Sequence, residues 1–309
     1  MNGAVRICVI GSANVDLTFR TPHLPRPGET LTGRDFHLGF GGKGANQAVT
    51  ARRLGAEVRF VARLGNDAFG QESLAHFCSE GLDTTRVRID PERSTGVAAI
   101  IVDDSAQNCI LVVSGANAAL SPRDVHEAAP AIRSAHLLLG QLEVPVETTL
   151  TAFHEARSAN VRTILNPAPA LALPAELLQL TDLCVPNEIE IEALTGKRAD
   201  NLDDAAAAAE ILRRRGARSV VVTLGERGCL LLHDDEIVVI PALAVTAVDP
   251  TGAGDAFIGS LAVFWAEGLG LPEAARRANA VAALTVTRHG AQIAFPSRAE
   301  AESFLDHRG

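Results

Sequence analysis

The sequence predicts an α/β protein in which helices flank a doubly wound, mainly parallel sheet, with a small β-sheet lid beside it. Short apolar runs alternate with segments of helical periodicity through most of the 309 residues. Such runs are typical of strands buried on both faces, and their alternation with helices is typical of a parallel sheet. Leu17–Phe40 and the paired β-rich runs Thr95–Asp104 and Asn108–Gly115 break the alternation. We expect these two irregular stretches to form the lid.

The strands and helices of the core follow from the same patterns. Five apolar runs are predicted to be buried strands: Arg6–Gly11, His136–Gln141, Arg162–Asn166, Asp182–Pro186 and Ser219–Leu224. Between them, Asp203–Arg215 is predicted to be a helix, because aspartates open it, arginines close it and Gly216 follows. The predicted core comprises residues 1–14, 41–94 and 113–309, and the predicted lid comprises residues 15–40 and 95–112.

Composition limits the classes of function. The chain is 47% hydrophobic and can bury a large core, while a net charge of −9 and 4% aromatic residues argue against a nucleic-acid surface. Its five cysteines are scattered and form no C-x-x-C pair, which favours reduced thiols over disulfides or a zinc site. No apolar run reaches the ~18 residues of a membrane span. These features predict a cytoplasmic protein that does not bind a membrane.

The run D-P-T-G-A-G-D at residues 249–255 is the most informative feature of the chain. Phe257, Leu261 and Phe264 follow at helical spacing, so the glycines are predicted to lie at a helix N-terminus, where free amides favour an anion. Asp255 in this first turn fits a base that removes a proton from a hydroxyl while the amides stabilise a phosphoryl group. An ordinary first-turn aspartate is the alternative.

A second glycine cluster, Gly39–Ala48, opens a helix predicted over Ala45–Leu54. It does not have the P-loop spacing, because Gly44 follows Lys43 directly. Its glycines would let the backbone approach a small polar ligand, with Lys43 and Asn46 as side-chain donors. A tight turn between strand and helix is the alternative.

Polar residues also follow the ends of the predicted strands. Asn14 and Asp16 come after the first strand and Glu143 after the second, at the edge of the sheet where open α/β folds bind ligands. A carboxylate and an amide on one face suit the hydroxyls of a sugar, although loop capping would look the same in sequence.

Two further segments point to a nucleotide and its metal ion. Asn187 and Glu190 follow another strand, and they could form a helix capping box or organise the water shell of Mg²⁺. The segment Thr223–Gly228 ends a strand with glycines along which a nucleotide could lie. No two of the nine histidines have metal-ligand spacing, so we assign them no role.

The segments G-S-A-N-V-D (11–16), G-G-K-G-A-N-Q-A (41–48), S-G-A-N (114–117), N-P-A-P (166–169) and D-P-T-G-A-G-D (249–255) resemble the ribokinase/PfkB family of sugar and nucleoside kinases. The resemblance covers essentially the whole chain. It implies that ATP and Mg²⁺ phosphorylate the 5-hydroxyl of D-ribose to give ribose 5-phosphate.

The resemblance also implies a role for individual residues. The base would be Asp255, and the anion hole would be the amides of Gly252, Ala253 and Gly254. Ribose would contact Asn14, Asp16, Gly42, Lys43, Asn46, Glu143 and Asp255. ATP would lie along Asn187, Thr223, Gly225, Glu226, Gly228, Gly254 and Asn279, with Glu190 supporting Mg²⁺ through water. A K⁺ ion would be bound by Asp249, Thr251, Thr285, Arg288 and Gly290.

The sequence departs from the family pattern at three of these places. Ala294 stands where a serine hydroxyl often completes the K⁺ site, Pro250 replaces the commoner threonine, and Asn279 replaces the commoner histidine. The first departure predicts a K⁺ site that is weakened or completed by water.

Other functions stay open at this point. The acceptor could be 2-deoxyribose, fructose or a nucleoside, although Asn14 with Asp16 favours vicinal hydroxyls. A sugar sensor on the same fold is a second alternative, and the intact Asp255 counts against it. An NAD-dependent dehydrogenase is excluded because no G-x-G-x-x-G follows the first strand. The lid strands predict a homodimer formed by edge pairing.

Overall fold

The computed structural model describes residues 4–105 and 107–307. The described strands are β1 (Arg6–Ile10), β2 (Asn14–Thr21), β3 (Asp35–Gly41), β4 (Glu57–Gly65), β5 (Asp83–Asp90), β6 (Gly96–Asp103), β7 (Asn108–Val113), β8 (Leu137–Gly140), β9 (Arg162–Leu165), β10 (Leu183–Cys184), β11 (Ser219–Thr223), β12 (Cys229–His233) and β13 (Glu236–Ile240). The described α-helices are α1 (Lys43–Arg53), α2 (Ala68–Ser79), α3 (Pro122–Arg133), α4 (Val146–Ser158), α5 (Ala175–Gln179), α6 (Glu188–Thr195), α7 (Leu202–Arg214), α8 (Ala253–Ala266), α9 (Leu271–Thr285) and α10 (Arg298–Asp306).

The main sheet has nine strands in the order β13-β12-β11-β10-β9-β8-β1-β4-β5. All its pairings are parallel except those of β12 and β13, which form an antiparallel edge. Side chains alternate along β1: Ile7 and Val9 join one buried apolar cluster with α1, α8 and α9, whereas Cys8 and Ile10 join another with α3, α4 and α7. Helices therefore cover both faces, and the predicted doubly wound fold is confirmed.

Each of the five predicted strands is present with slightly shorter bounds. The run Asp182–Pro186 contracts to Leu183–Cys184, because the chain turns at Asn187 into helix α6. Strands β4, β5, β12 and β13 were not predicted. Charged residues such as Arg59 and Arg63 interrupt the apolar pattern of β4, which conceals it in the sequence. The predicted helix over Asp203–Arg215 is α7, capped by Asn201 and followed by Gly216 at φ 122°.

The second sheet has four strands in the order β3-β2-β6-β7. As predicted, the runs after Thr95 form a hairpin, with β6 antiparallel to β7; one residue of its predicted turn, Ala106, lies outside the described residues. Strand β2 starts only a few residues after β1 ends, so it begins at the carboxyl ends of the strands of the main sheet. The first residues of β2 and the last of β3 therefore lie against the core, while every residue of β7 is exposed.

Two general features of the chain bear on the sequence predictions. No helix in the described part of the chain is long and apolar enough to cross a membrane. All five cysteines are free thiols, three of them buried. Burial raises the pKa of the Cys8 thiol to about 12, with the charges of Arg59 and Asp83 as smaller influences. Cys8 is therefore a packing residue.

Candidate active site

The N-terminus of α8 is shaped by the glycine at its cap. Gly252 has φ 78°, in the left-handed region, and a Cβ there would lie 2.9 Å from the Phe295 ring. Only glycine fits both the backbone and the space. The Ala253 amide donates to the Pro250 carbonyl at 3.2 Å. Within the described residues the amides of Gly252 and Gly254 donate to no protein acceptor, so both remain available to bind an anion.

Asp255 lies in the first turn of this helix and is buried, with 8% of its surface exposed. Its Oδ2 accepts a hydrogen bond of 2.8 Å from Asn46 Nδ2, and its Oδ1 accepts one of 2.9 Å from Gln47 Nε2. Both donors belong to α1. The first turn of α1 therefore orients the carboxylate in the first turn of α8. Each carboxylate oxygen keeps a lone pair for a substrate hydroxyl.

Asn14 and Asp16 follow β1, as the sequence predicts, and they begin strand β2 of the second sheet. Asn14 Oδ1 accepts 2.7 Å from Asn117 Nδ2, which turns the Asn14 amide so that its Nδ2 is the donor left for a ligand. On the neighbouring strand, a Cβ at Gly41 would lie 2.2 Å from the Asp16 carboxylate. Glycine at this position makes the room that the carboxylate occupies. A donor and an acceptor thus lie two residues apart on one strand.

Glu143 follows β8 and connects three segments. Its Oε2 accepts hydrogen bonds from Ser12 Oγ at 2.5 Å and from the Lys43 amide at 2.9 Å. The first bond holds the turn between β1 and β2, and the second holds the first residue of α1, which follows Gly42. Gly42 has φ 86°. The structure therefore gives Glu143 a positioning role at the mouth of the site.

The charges of the site act on one another. Burial, together with the smaller effects of the negative charges of Glu143 and Asp255, raises the pKa of Asp16 to about 7. Burial opposes the charged form of Lys43, but the carboxylates of Asp255, Glu143 and Glu190 outweigh it and raise the pKa of this ammonium. Residues from five separate parts of the sequence thus share one electrostatic environment. It is acidic except for the single ammonium.

Sequence reasoning missed a layer of amides behind the carboxylate. Gln47 Nε2 also donates to Asn166 Oδ1 at 3.1 Å, and Gln141 Nε2 donates to Gln47 Oε1 at 2.5 Å. Gln47, Asn117 and Asn166 all stand inside the segments that resembled the family, so the signal was present but not interpreted. Gln141 carried no signal, because only the fold brings it beside α1.

Asn187 and Glu190 form a complete capping box at the start of α6. The Asn187 amide donates to Glu190 Oε2 at 2.9 Å, and the Glu190 amide donates to Asn187 Oδ1 at 2.8 Å. Burial raises the pKa of Glu190, which the Asn187 hydrogen bond and the charge of Lys43 partly oppose. The interaction with Lys43 places this cap on the side of the site that faces the ammonium.

The predicted nucleotide segment lies next to that cap. Thr223 forms a parallel bridge with Asn187, and Gly225–Arg227 form a 3₁₀ turn after it. Glu226 is exposed on this turn, and Gly228 closes it with φ 91°. Asn279 on α9 lies beyond the turn, where its Nδ2 donates to the Ile240 carbonyl at 3.3 Å. Gly225, Glu226 and Arg227 are the exposed residues of this segment, so its turn is open to solvent.

Asp249 lies between the loop before α8 and the loop after α9. Its Oδ1 accepts 2.9 Å from the Thr251 amide and its Oδ2 accepts 2.8 Å from the Gly290 amide. Burial opposes the charged form, but these bonds lower the pKa of Asp249. An anionic carboxylate therefore joins both loops from which K⁺ would take carbonyl oxygens.

The other residues predicted at the K⁺ site differ in what they could offer the ion. Thr285 is buried, and its carbonyl accepts a hydrogen bond of 3.1 Å from the Arg288 amide. The Arg288 guanidinium turns away to Glu300 at 2.6 Å. Ala294 is fully buried and contributes no side-chain oxygen. In the described residues, no group of three or more His, Cys, Asp and Glu side chains could hold a metal.

Comparison with known proteins places this geometry in a family. The model of the pfkB family of carbohydrate kinases matches residues 5–298. A mouse ribokinase is 42% identical over 298 residues, covering 95% of this chain and 92% of its own. A deoxyribokinase of Salmonella typhi is 41% identical over 300 residues, covering 97% of this chain and 98% of its own.

Solved structures agree. The structure of an Arabidopsis thaliana ribokinase complexed with ribose and ATP superimposes with a TM-score of 0.90 at 31% identity, covering 98% of this chain and 99% of that one. The family match spans both sheets and every segment of the site. The chain therefore belongs to the pfkB family of carbohydrate kinases.

Proposed function

We propose that this protein transfers the γ-phosphoryl group of ATP to O5 of D-ribose, giving ribose 5-phosphate and ADP. One observation carries the proposal: Asp255 is buried and held through both oxygens, directly beside the free amides at the start of α8. A base and an anion site within one helical turn suit phosphoryl transfer to an alcohol. The ribokinase relatives supply the sugar.

The chemical step is assigned to α8. Asp255 takes the O5 proton as O5 attacks the γ-phosphorus, and the bond from that phosphorus to the bridging oxygen of ADP breaks. The amides of Gly252 and Gly254 stabilise the charge on the moving phosphoryl group, with the Ala253 amide joining them if its 3.2 Å bond to Pro250 opens. The protein contributes mainly position and electrostatics.

The sugar is assigned to the acidic side of the site. Asn14 donates to a ribose hydroxyl through Nδ2 and Asp16 accepts from a neighbouring one. Asn46 is assigned to contact the sugar near the reacting hydroxyl, since its Nδ2 donates to the Asp255 carboxylate. The Gly42 backbone and the Lys43 ammonium close the near side. Glu143 fixes Lys43 and Ser12 in place.

ATP is assigned to the segment that contains Thr223, Gly225, Glu226 and Gly228. Asn187 lies at its phosphate end, since it neighbours Thr223 and caps α6. Asn279 lies at the opposite, adenine end.

Two metal ions fit the residues present. Mg²⁺ prefers oxygen ligands and keeps its waters, which suits Glu190, whose buried carboxylate is already bound to Asn187 and can act only through water. K⁺ suits Asp249 with the carbonyls of Thr251, Thr285, Arg288 and Gly290. When bound, Mg²⁺ would neutralise phosphate charge and K⁺ would order the loop before α8.

The acceptor has one serious alternative, because a deoxyribokinase is as similar to this chain as the ribokinases are. Asn14 and Asp16 favour ribose, since an acceptor lacking a hydroxyl would leave a buried polar group unpaired. The test is ADP release measured with D-ribose, 2-deoxyribose, fructose and adenosine, with and without K⁺. A higher kcat/KM for 2-deoxyribose would overturn the assignment, and no ADP release with any acceptor would favour a sensor.

We also propose that residues 15–40 and 95–112 act as a lid that forms a homodimer. The outer strand β7 exposes Ile110, Leu111, Val112 and Val113, an apolar surface that a second lid could cover. Leu111→Arg should give a monomer in light scattering, whereas Ile237→Arg on the exposed β13 should not. A monomeric unmodified protein would contradict the proposal.

The cysteine pattern supports a location in the cytoplasm, where the free thiols would stay reduced. Cell fractionation of the native protein would test this assignment.

A further inference from the structure

A chain of hydrogen bonds runs from Asp255 to a histidine on α2 that no part of the proposed reaction uses. Asn46 Oδ1 accepts 3.0 Å from Gln292 Nε2, and Gln292 Oε1 lies 2.8 Å from His76 Nε2. Asn46 in turn donates to Asp255. The chain joins α8, α1, the turn after α9 and α2, which lie far apart in sequence.

The Asp255 carboxylate fixes the direction of every hydrogen bond in this series. The Asp255 carboxylate accepts, so Asn46 must present its Nδ2 there and its Oδ1 to Gln292. Gln292 therefore gives its Nε2 to Asn46 and leaves its Oε1 as an acceptor, and His76 must carry a hydrogen on Nε2 to meet it. Reversing any amide would place two acceptors face to face.

Gln292 is a rigid link in this chain. It is buried, with 4% of its surface exposed, and its carbonyl accepts 2.5 Å from the Arg53 guanidinium. The same guanidinium nitrogen donates 2.8 Å to the Phe295 carbonyl. The last turn of α1 thus anchors the backbone from which the Gln292 side chain projects toward Asn46.

The other end of the chain touches the lid. The His76 ring stacks on Phe40 with centroids 4.2 Å apart and planes 9° apart. Phe40 lies on β3 directly before Gly41 and Gly42, which border the sugar side of the site. One side chain on α2 therefore holds the lid strand with its ring and reaches toward the base with its nitrogen.

We propose that His76, acting through Gln292, is a positioning residue that aligns Asn46 with Asp255 and ties this alignment to the lid strand β3. The proposal rests on the proposed sugar kinase activity. It assigns two separable tasks to one residue: the Nε2 hydrogen bond sets the orientation of the base, which governs turnover, and the ring stack holds β3, which governs retention of the sugar.

Two substitutions separate these tasks. His76→Phe keeps an aromatic ring against Phe40 and removes the donor to Gln292. It should lower kcat about 3–10-fold, the usual effect of losing one buried hydrogen bond, and leave KM for ribose near its original value. His76→Gln keeps an N–H donor and removes the ring, so it should keep kcat and raise KM for ribose by a similar factor. KM for ATP should stay unchanged in both.

A double-substitution cycle tests the route. Gln292→Met breaks the chain between His76 and Asn46, so adding His76→Phe to it should lower kcat no further. His154→Phe, a change at an exposed histidine on α4 paired with Glu176, is the control and should leave the kinetics unaltered. Melting temperatures and circular dichroism check that each variant folds.

The outcomes decide between the proposal and a packing role. Unchanged kinetics in both His76 variants, equal changes of kcat and KM in both, or additive losses in the double variant would overturn it. A failure of the underlying function is distinguishable, because the unmodified protein would then release no ADP with ribose, whereas a failed positioning role leaves that activity intact.

Discussion

The sugar side and the nucleotide side of the site are built in different ways. On the sugar side, Asp255, Asn46 and Gln47 are buried and joined to one another before any ligand binds. On the nucleotide side, the turn Gly225–Arg227 has no buried residue and lies open to solvent. The reacting carboxylate is thus pre-organised, whereas the nucleotide meets an open surface.

This difference follows from what each side must do. A base contributes to the rate only when it is held within a few tenths of an ångström of the hydroxyl it deprotonates, so its orientation is fixed by partners on another helix. ATP brings a large surface and its own charges, and backbone contacts suffice to hold it. Substitutions on the sugar side should therefore change turnover and sugar binding, and those on the nucleotide side should change only KM for ATP.

The largest expected effect is that of Asp255→Asn. The amide keeps the shape of the carboxylate and loses the base, so kcat should fall about 10²–10⁴-fold. Binding of a non-hydrolysable ATP analogue, measured by calorimetry, should be unchanged. Asp203→Asn, in the first turn of α7, is the matched control. Near-normal turnover in Asp255→Asn would show that Asp255 is not the base and acts as an ordinary first-turn aspartate.

The next effect is that of Asp16→Ala on ribose binding. Removing a carboxylate that accepts hydroxyl hydrogens should raise KM for ribose about 10–100-fold, as expected for a bond to a charged group. KM for ATP should stay the same. Asp35→Ala, at the exposed start of β3, should change neither constant. A rise in both constants for Asp16→Ala would indicate general damage to the fold around β2.

The raised pKa of Asp16, about 7, makes ribose binding depend on pH. Below that pH the group is protonated and loses an acceptor, so the dissociation constant for ribose should be larger at pH 6 than at pH 8, by about tenfold. Calorimetry across this range measures it. Asp16→Asn should flatten the profile, because an amide does not titrate in this range. A profile that Asp16→Asn leaves unaltered would assign the dependence elsewhere.

The smallest effect is expected on the nucleotide side. Thr223→Val should raise KM for ATP about 2–5-fold, the value of one exposed hydrogen bond, and leave kcat and KM for ribose unchanged. Initial rates at saturating ribose measure it. A loss of kcat comparable to that of Asp255→Asn would show that the two sides are not independent.

Much of the fold and part of the site could be predicted from local sequence. The helix after Gly252 and the hairpin of β6 and β7 each depend on a few adjacent residues, and each was predicted. The cap at Asn187 was one of two alternatives that the sequence left open. Strand β4 was missed because arginines interrupt its apolar run.

The sequence by itself determined which chemical groups are present and the approximate positions of helices α1, α7 and α8 and of five buried strands, because capping, helical spacing and glycine freedom act over a few residues. Only the tertiary structure decided which groups meet. Asn46 and Asp255 are 209 positions apart, and Gln292 and Asn46 are 246 apart. Hydrogen bonds between such distant residues exist only after the sheet has brought α1, α8 and the turn after α9 together, so no local pattern encodes them.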